Sequence, residues 1–178
     1  MALRRAAAYS KRKVRPFTRV SRVKSKTYIK VVPHNKVAKY AMGNQQASNS
    51  GKHGFSVKLI SEEKVQIRDN ALESARMYVS KVLDTEMPGE YFFAVKVYPH
   101  HILRENKTAA GAGADRLSSG MKHSYGVVIG RAAIVNPQKE IFFITCTTEK
   151  GARIVRETLA KIKSKLPCNT KIVFEKTK

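Results

Sequence analysis

Residues 110–126 read AGAGADRLSSGMKHSYG, and few stretches of this 178-residue chain gather so many groups that could do chemistry. Gly111, Gly113 and Gly120 could let the backbone close on a phosphate. Asp115, Ser118, Ser119, Lys122 and His123 are residue types of nucleophile and proton-transfer sites. Each specific pattern fails. A dinucleotide-binding turn needs a third glycine at position 116, because the helix start must pack closely, and Arg116 stands there. A P-loop ending at Gly120 needs glycine at 115 and then Lys-Ser or Lys-Thr, whereas the chain has Asp115 and Met121-Lys122. Ser119 lacks the Gly-x-Ser-x-Gly frame of a nucleophile elbow. The sequence proximity of Asp115, Ser118 and His123 says little, since triads are assembled by folding. The tract therefore predicts no catalytic residue and no cofactor.

What the tract retains is reach and charge. Its glycines lose much backbone entropy if ordered. It separates two strong strand patterns, where a hairpin needs only about two to five residues. A loop over about 108–122 is therefore extravagant, and long loops on rigid scaffolds serve binding or stay disordered. Lys107, Arg116 and Lys122, with His100 and His101 at a strand end, point to an anionic partner. Asp115 either pairs with a neighbouring cation or is a turn residue. His100 and His101 either stack on bases or end the strand. Ser118 and Ser119 fit turn roles better than phosphate contacts.

The charge of the whole chain points the same way. The formal net charge is +22, and all fifteen Lys and Arg of the first 60 residues precede the first acid, Glu62. From Ser61 onward, 20 basic residues face 13 acidic ones, an ordinary basic balance. A polycation is thus attached to a more normal fold, and its self-repulsion calls for a neutralising partner. Nucleic acid fits best, because each phosphate contacted releases condensed counterions. A membrane surface fits poorly, for no apolar run approaches 20 residues and the N-terminus has no basic amphipathic helix with aromatic anchors. Pro16 and the polar Lys-rich tract also argue against a mitochondrial presequence in the acid-free residues 1–26. Cys146 and Cys168 have no second Cys or His at ligand spacing, so no metal site is expected. With no signal peptide visible, a reducing cytoplasm is the expected location.

The elements that must position these groups follow from periodicity. Residues 1–26 have too few apolar positions to bury a face, and read as an arm that orders on RNA. Arg4, Arg5, Lys11, Arg12, Lys13, Arg15, Arg19, Arg22, Lys24 and Lys26, with Lys30 just beyond it, are the candidate phosphate contacts. The rest, 27–178, reads as one domain. Strand patterns cover 27–32, 36–43, 55–67, 91–99, 125–135, 141–147 and 170–176, with a polar loop over 44–54. Asp69 is the expected N-cap of a helix to about Leu83 with a Leu72, Ala75, Val79 and Val82 stripe. Thr148 caps a second helix to about 165, with Ala152, Val155, Leu159, Ile162 and Leu166 inward and Lys150, Arg153, Arg156, Lys161 and Lys165 outward. This grouping predicts an α+β sandwich, one sheet covered on one face by two helices.

YPHHILRENK followed by GAGADRLSSGMKHSYG also resembles a known family, the universal L-sixteen family of large-subunit ribosomal proteins in its archaeal and eukaryotic L-ten-e branch. The matching positions are Ala112 to Leu117, Gly120, Met121, Pro99, His101, Arg104, Asn106 and Lys107. ALESAR (71–76), YIKVVPHNKV (28–37) and AMGN (41–44) are similar too, so the likeness spans about 28–175. Lys122 stands where Arg is commoner, Val31 and His34 replace a usual Gly and Asp, and the arm lacks the usual Cys-Tyr-Arg run. The resemblance implies a two-layer α+β sandwich with mixed or antiparallel strands and a hammerhead-like β insertion. It implies a structural place in the large subunit, on ribosomal RNA near the tRNA corridor. His101, Arg104 and Lys107 would then hold RNA at the loop base. Gly111, Gly113, Asp115, Arg116, Ser118, Ser119, Gly120, Met121 and Lys122 would face tRNA and the peptidyl-transferase region. Implied partners are large-subunit RNA, tRNA, neighbouring ribosomal proteins and assembly factors, with no membrane and no homo-oligomer. An RNA-binding or RNA-chaperone protein outside the ribosome is the rival reading.

Overall fold

The computed structural model describes residues 7–10, 15–18, 20–21, 23–26, 29, 31–105 and 126–176. Its strands are β1 (Ala41–Gly43), β2 (Phe55–Ser61), β3 (Val65–Arg68), β4 (Tyr91–Val95), β5 (His101–Glu105), β6 (Val127–Val135), β7 (Glu140–Cys146) and β8 (Thr170–Lys176). Its helices are α1 (Ala7–Ser10), α2 (Gln45–Asn49), α3 (Asp69–Glu86) and α4 (Glu149–Ile162), the last followed by a 3-10 turn, Lys163–Lys165. The class is α+β as expected, but the strands form two antiparallel sheets instead of one. Five strands run in the order β1-β4-β7-β2-β8, and three in the order β3-β6-β5.

Alternation explains the larger sheet. Val57 and Leu59 on β2 pair with Ile144 and Phe142 on β7, which pair in turn with Phe93 and Val95 on β4. Directly paired residues share a face, so these six form one apolar surface. All are buried, and the rings of Phe93 and Phe142 meet edge to face with centroids 5.4 Å apart. Leu72, Ala75, Val79 and Leu83 on α3, and Ala152, Val155, Leu159 and Ile162 on α4, close the core over it. Thr148 caps α4 as predicted, its hydroxyl accepting from the Gly151 amide at 3.2 Å.

Several sequence-based boundaries move. The run 55–67 is two strands in different sheets, because Glu62 to Lys64 turn the chain out of β2. Strand 36–43 shrinks to β1, and 44–54 holds α2, where Asn44 accepts from the Ala47 amide. Of the expected strand 27–32, the described residues are irregular, with Ile29 buried and Val31 exposed. Asp69 is the first residue of α3 and not its cap. Its buried carboxylate instead accepts from the backbone amides of Asn70 and Lys36, tying the irregular segment before β1 to the helix start.

Candidate nucleic-acid interface

The three-stranded sheet decides where the arm and the loop base meet. On it, Arg68 pairs with Ala132, and Ala132 with His101, so Arg68 and His101 share a face. The opposite face carries Val65, Ile67, Ala133 and Val135 into the core. The first face receives the N-terminal arm at both ends. At the β3 end α1 packs against the strand, with the Arg68 guanidinium 5.7 Å from the centroid of the Tyr9 ring. At the β5 end the backbone of Phe17 docks as an added rung. Its amide donates to His101 Nδ1 at 2.9 Å, and its carbonyl accepts from the Ile102 amide at 3.0 Å. The Arg104 guanidinium lies 4.0 Å from the centroid of the Phe17 ring, a cation–π distance.

Two predicted site residues are therefore brought together, in a role the sequence did not reveal. His101 is only 5% exposed, and burial, then the Arg104 charge, push its pKa below 6.5. A neutral ring with Nδ1 accepting carries its proton on Nε2. Arg104 is half-buried above Phe17. Arg15 and Lys26 of the arm are exposed, and Lys24 falls in a 3-10 turn, Lys24–Lys26. Arg4, Arg5, Lys11, Arg12, Lys13, Arg19, Arg22, Lys30 and Lys107 lie outside the described residues, as do Gly111, Gly113, Asp115, Arg116, Ser118, Ser119, Gly120, Met121 and Lys122.

Beside this junction stands an aromatic row. Tyr40 and Tyr98 stack with centroids 5.1 Å apart, and Tyr98 meets His100 at 4.5 Å. Asn35 Nδ2 donates to the Tyr40 hydroxyl at 2.7 Å, and burial raises the pKa of that phenol. Tyr98 is 41% exposed and His100 is exposed, so the end of the row faces solvent, as a base-stacking platform requires. Sequence reasoning passed over Tyr40 and Tyr98. The spacing of Tyr98 and His100 on alternate positions was a usable signal for that pair, whereas nothing local announced Tyr40.

Cations extend the surface on the far side. A cleft between α1, the start of α3 and the turn after α4 is lined by Ser10, Arg68, Asn70, Ser74, Ser164 and Lys165. The outward face of α4 exposes Lys150, Arg153, Arg156 and Lys161, of which Arg153 pairs with Glu149 at 3.0 Å. Among the described residues no group of three His, Cys, Asp or Glu gathers to hold a metal, and no helix is long and apolar enough to cross a membrane. Cys146 is buried, and that burial raises its thiol pKa to about 11, so it serves the core.

Comparison with known proteins gives this cationic surface its context. The profile of the family described as ribosomal protein L16p/L10e matches residues 13–173. A large ribosomal subunit protein uL16 from Methanococcus maripaludis is 43% identical, covering 100% of this chain and 97% of the relative. The protein of that name from Staphylothermus marinus is 39% identical over 100% of this chain and 97% of its own. That from Archaeoglobus fulgidus is 38% identical over 97% of this chain and 94% of its own.

Proposed function

Because the chain belongs to the L16p/L10e ribosomal protein family, we propose how its parts divide the work of a large-subunit protein. It is a structural constituent of the large ribosomal subunit and takes part in translation there, bound to ribosomal RNA and next to other ribosomal proteins. The observation that carries this is the likeness to archaeal uL16 proteins along the whole chain, arm included. The role is structural, and the failed nucleotide and nucleophile motifs of 110–126 agree with a protein that catalyses nothing itself.

Within that role the arm, 1–26, supplies most of the affinity by neutralising phosphates along RNA. The domain 27–178 fixes geometry. The exposed Tyr98–His100 row contacts RNA beside the junction, and the α4 cations contact it on the far side. The long loop, about 108–122, reaches towards tRNA and the peptidyl-transferase region, and supports the aminoacyl-tRNA site. Its cations and glycines suit a finger that orders against RNA.

The test replaces 108–122 with a short Gly-Ser turn and follows both incorporation into large subunits and tRNA accommodation. Entry into subunits with failed accommodation supports the division of labour. Loss of incorporation makes the loop an assembly element, and no change in either makes it a spacer. Titration with ATP, GTP and NAD tests the non-catalytic reading, and saturable hydrolysis of any of them would sink it. A free RNA chaperone, the rival, would wash off large subunits at high salt.

A further inference from the structure

We propose that His101 and Arg104 are positioning residues, which latch the N-terminal arm at Phe17 onto the β5 edge and so fix its path relative to the start of the 106–125 tract. Three contacts from one arm residue carry the proposal. The Phe17 amide donates to His101 Nδ1, its carbonyl accepts from the Ile102 amide, and its ring lies under the Arg104 guanidinium. A single residue added to a sheet edge gains little alone, so the side-chain contacts on either side of it decide whether it stays. Both come from β5, the strand that leads directly into residue 106. The arm and the loop base therefore share one support.

The latch has a defined protonation state. Nδ1 can accept the Phe17 amide proton only while the ring is neutral, since a charged imidazole donates from both nitrogens. Burial, and then the charge of Arg104, favours the neutral form. Arg104 stands on the same strand, Arg68 on the same face two strands away, and Arg15 two residues before Phe17. On β6, Ala132 pairs with His101, while the neighbouring Arg131 is turned to Pro33, donating to its carbonyl at 2.7 Å. Glu105 ends the strand opposite Val127. Since the docked state holds this imidazole below its ordinary pKa of 6.5, docking is complete above that value. It weakens as pH falls from there through the docked-state pKa. Asparagine at 101 would present an amide oxygen near the Nδ1 position without titrating.

The measurement is amide hydrogen exchange at Phe17 and Ile102 in the full chain, as protection factors at roughly pH 7.5 and pH 5.5. Protection should fall roughly five- to tenfold on acidification, and by a similar factor at neutral pH in His101→Ala and Phe17→Ala. His101→Asn should keep the protection and lose its pH dependence. Unchanged protection of both amides in His101→Ala overturns the proposal. If that variant does not fold, equal wild-type protection at the two pH values overturns it. The free chain needs no RNA for this test, so its failure leaves the ribosomal reading standing. That reading fails separately if the wild-type chain does not bind large-subunit RNA. The proposal rests on it only for a last readout, a several-fold weaker RNA affinity in His101→Ala that His101→Asn restores.

Discussion

The two sheets of this protein are finished by different means. The five-stranded sheet is closed by α3 and α4, whose apolar stripes meet one of its faces in a continuous core. The three-stranded sheet gives its inner face to that core, while α1 and Phe17 of the arm meet its other side. The first closure is apolar and extensive. The second is polar at its edge, with hydrogen bonds from Phe17 to β5 and cation–π contacts at Tyr9 and Phe17 among its contacts. Burial of an apolar side chain contributes about 1.5–3 kcal/mol, and a net hydrogen bond only about 0.5–1.5. The two closures thus rest on different kinds of contact, burial in one and directed polar contacts at a strand edge in the other.

Matched leucine truncations give the largest expected effect and the most direct way to break the comparison. Leu159 on α4 lies in the continuous core, and Leu159→Ala should cost about 2–5 kcal/mol in denaturant unfolding. Leu103 on β5 is also buried but outside that cluster. It lies two residues from His101 on the strand where the arm docks, away from the continuous core, so Leu103→Ala should cost less than half as much. Equal losses would mean that both halves unfold as one packed unit.

Gly43 comes next. Its φ is +81°, and a Cβ there would stand 2.3 Å from the Tyr91 carbonyl oxygen. Gly43→Ala should therefore detach β1 from β4 and cost about 1–3 kcal/mol. Thermal melts should show the loss, and exchange at Ile102 should not change. A smaller effect separates the helices. Thr148→Ala should cost about 1 kcal/mol, because it removes the cap of α4. Arg68 at the α3 cap position makes no side-chain cap bond, so Arg68→Ala should lose little there and act instead through Tyr9. A stability loss at Arg68 matching that at Thr148 would contradict this assignment.

The same contrast explains what could be read from sequence. The α4 stripe and its Thr148 cap follow from period and cap chemistry, because the stripe meets core positions of one repeating kind and the cap is local. The division of 55–67 between two sheets was hidden, since both halves are apolar and only Glu62 to Lys64 interrupt them. The roles of His101 and Arg104 were hidden for a different reason. Both look like solvent-facing ends of a strand, and the residue they contact is Phe17, 84 positions from His101. Periodicity reports a face to be covered, and it does not say which distant segment covers it.

The smallest expected effect uses a second buried histidine. His53 precedes β2, is 4% exposed, and places Nδ1 2.7 Å from Thr145 Oγ1, which also lies 3.1 Å from Ser48 Oγ. Its Nε2 is buried without a hydrogen-bond partner among the described residues. A bare ring nitrogen there costs the desolvation of an unpaired acceptor, and a proton on it would be worse, a buried unpaired donor on a charged ring. Burial accordingly lowers its pKa below 6.5. The unfolded chain then binds the proton more readily, so stability is full above pH 6.5 and declines as pH falls through the folded-state pKa. Because His53 sits against the five-stranded sheet, this loss should appear in global unfolding, and His53→Asn should flatten it. His101 should leave its mark only on local exchange at Phe17 and Ile102. If His101→Asn flattened the global pH profile and His53→Asn did not, the arm would be an integral part of the core, and the two closures would be of one kind.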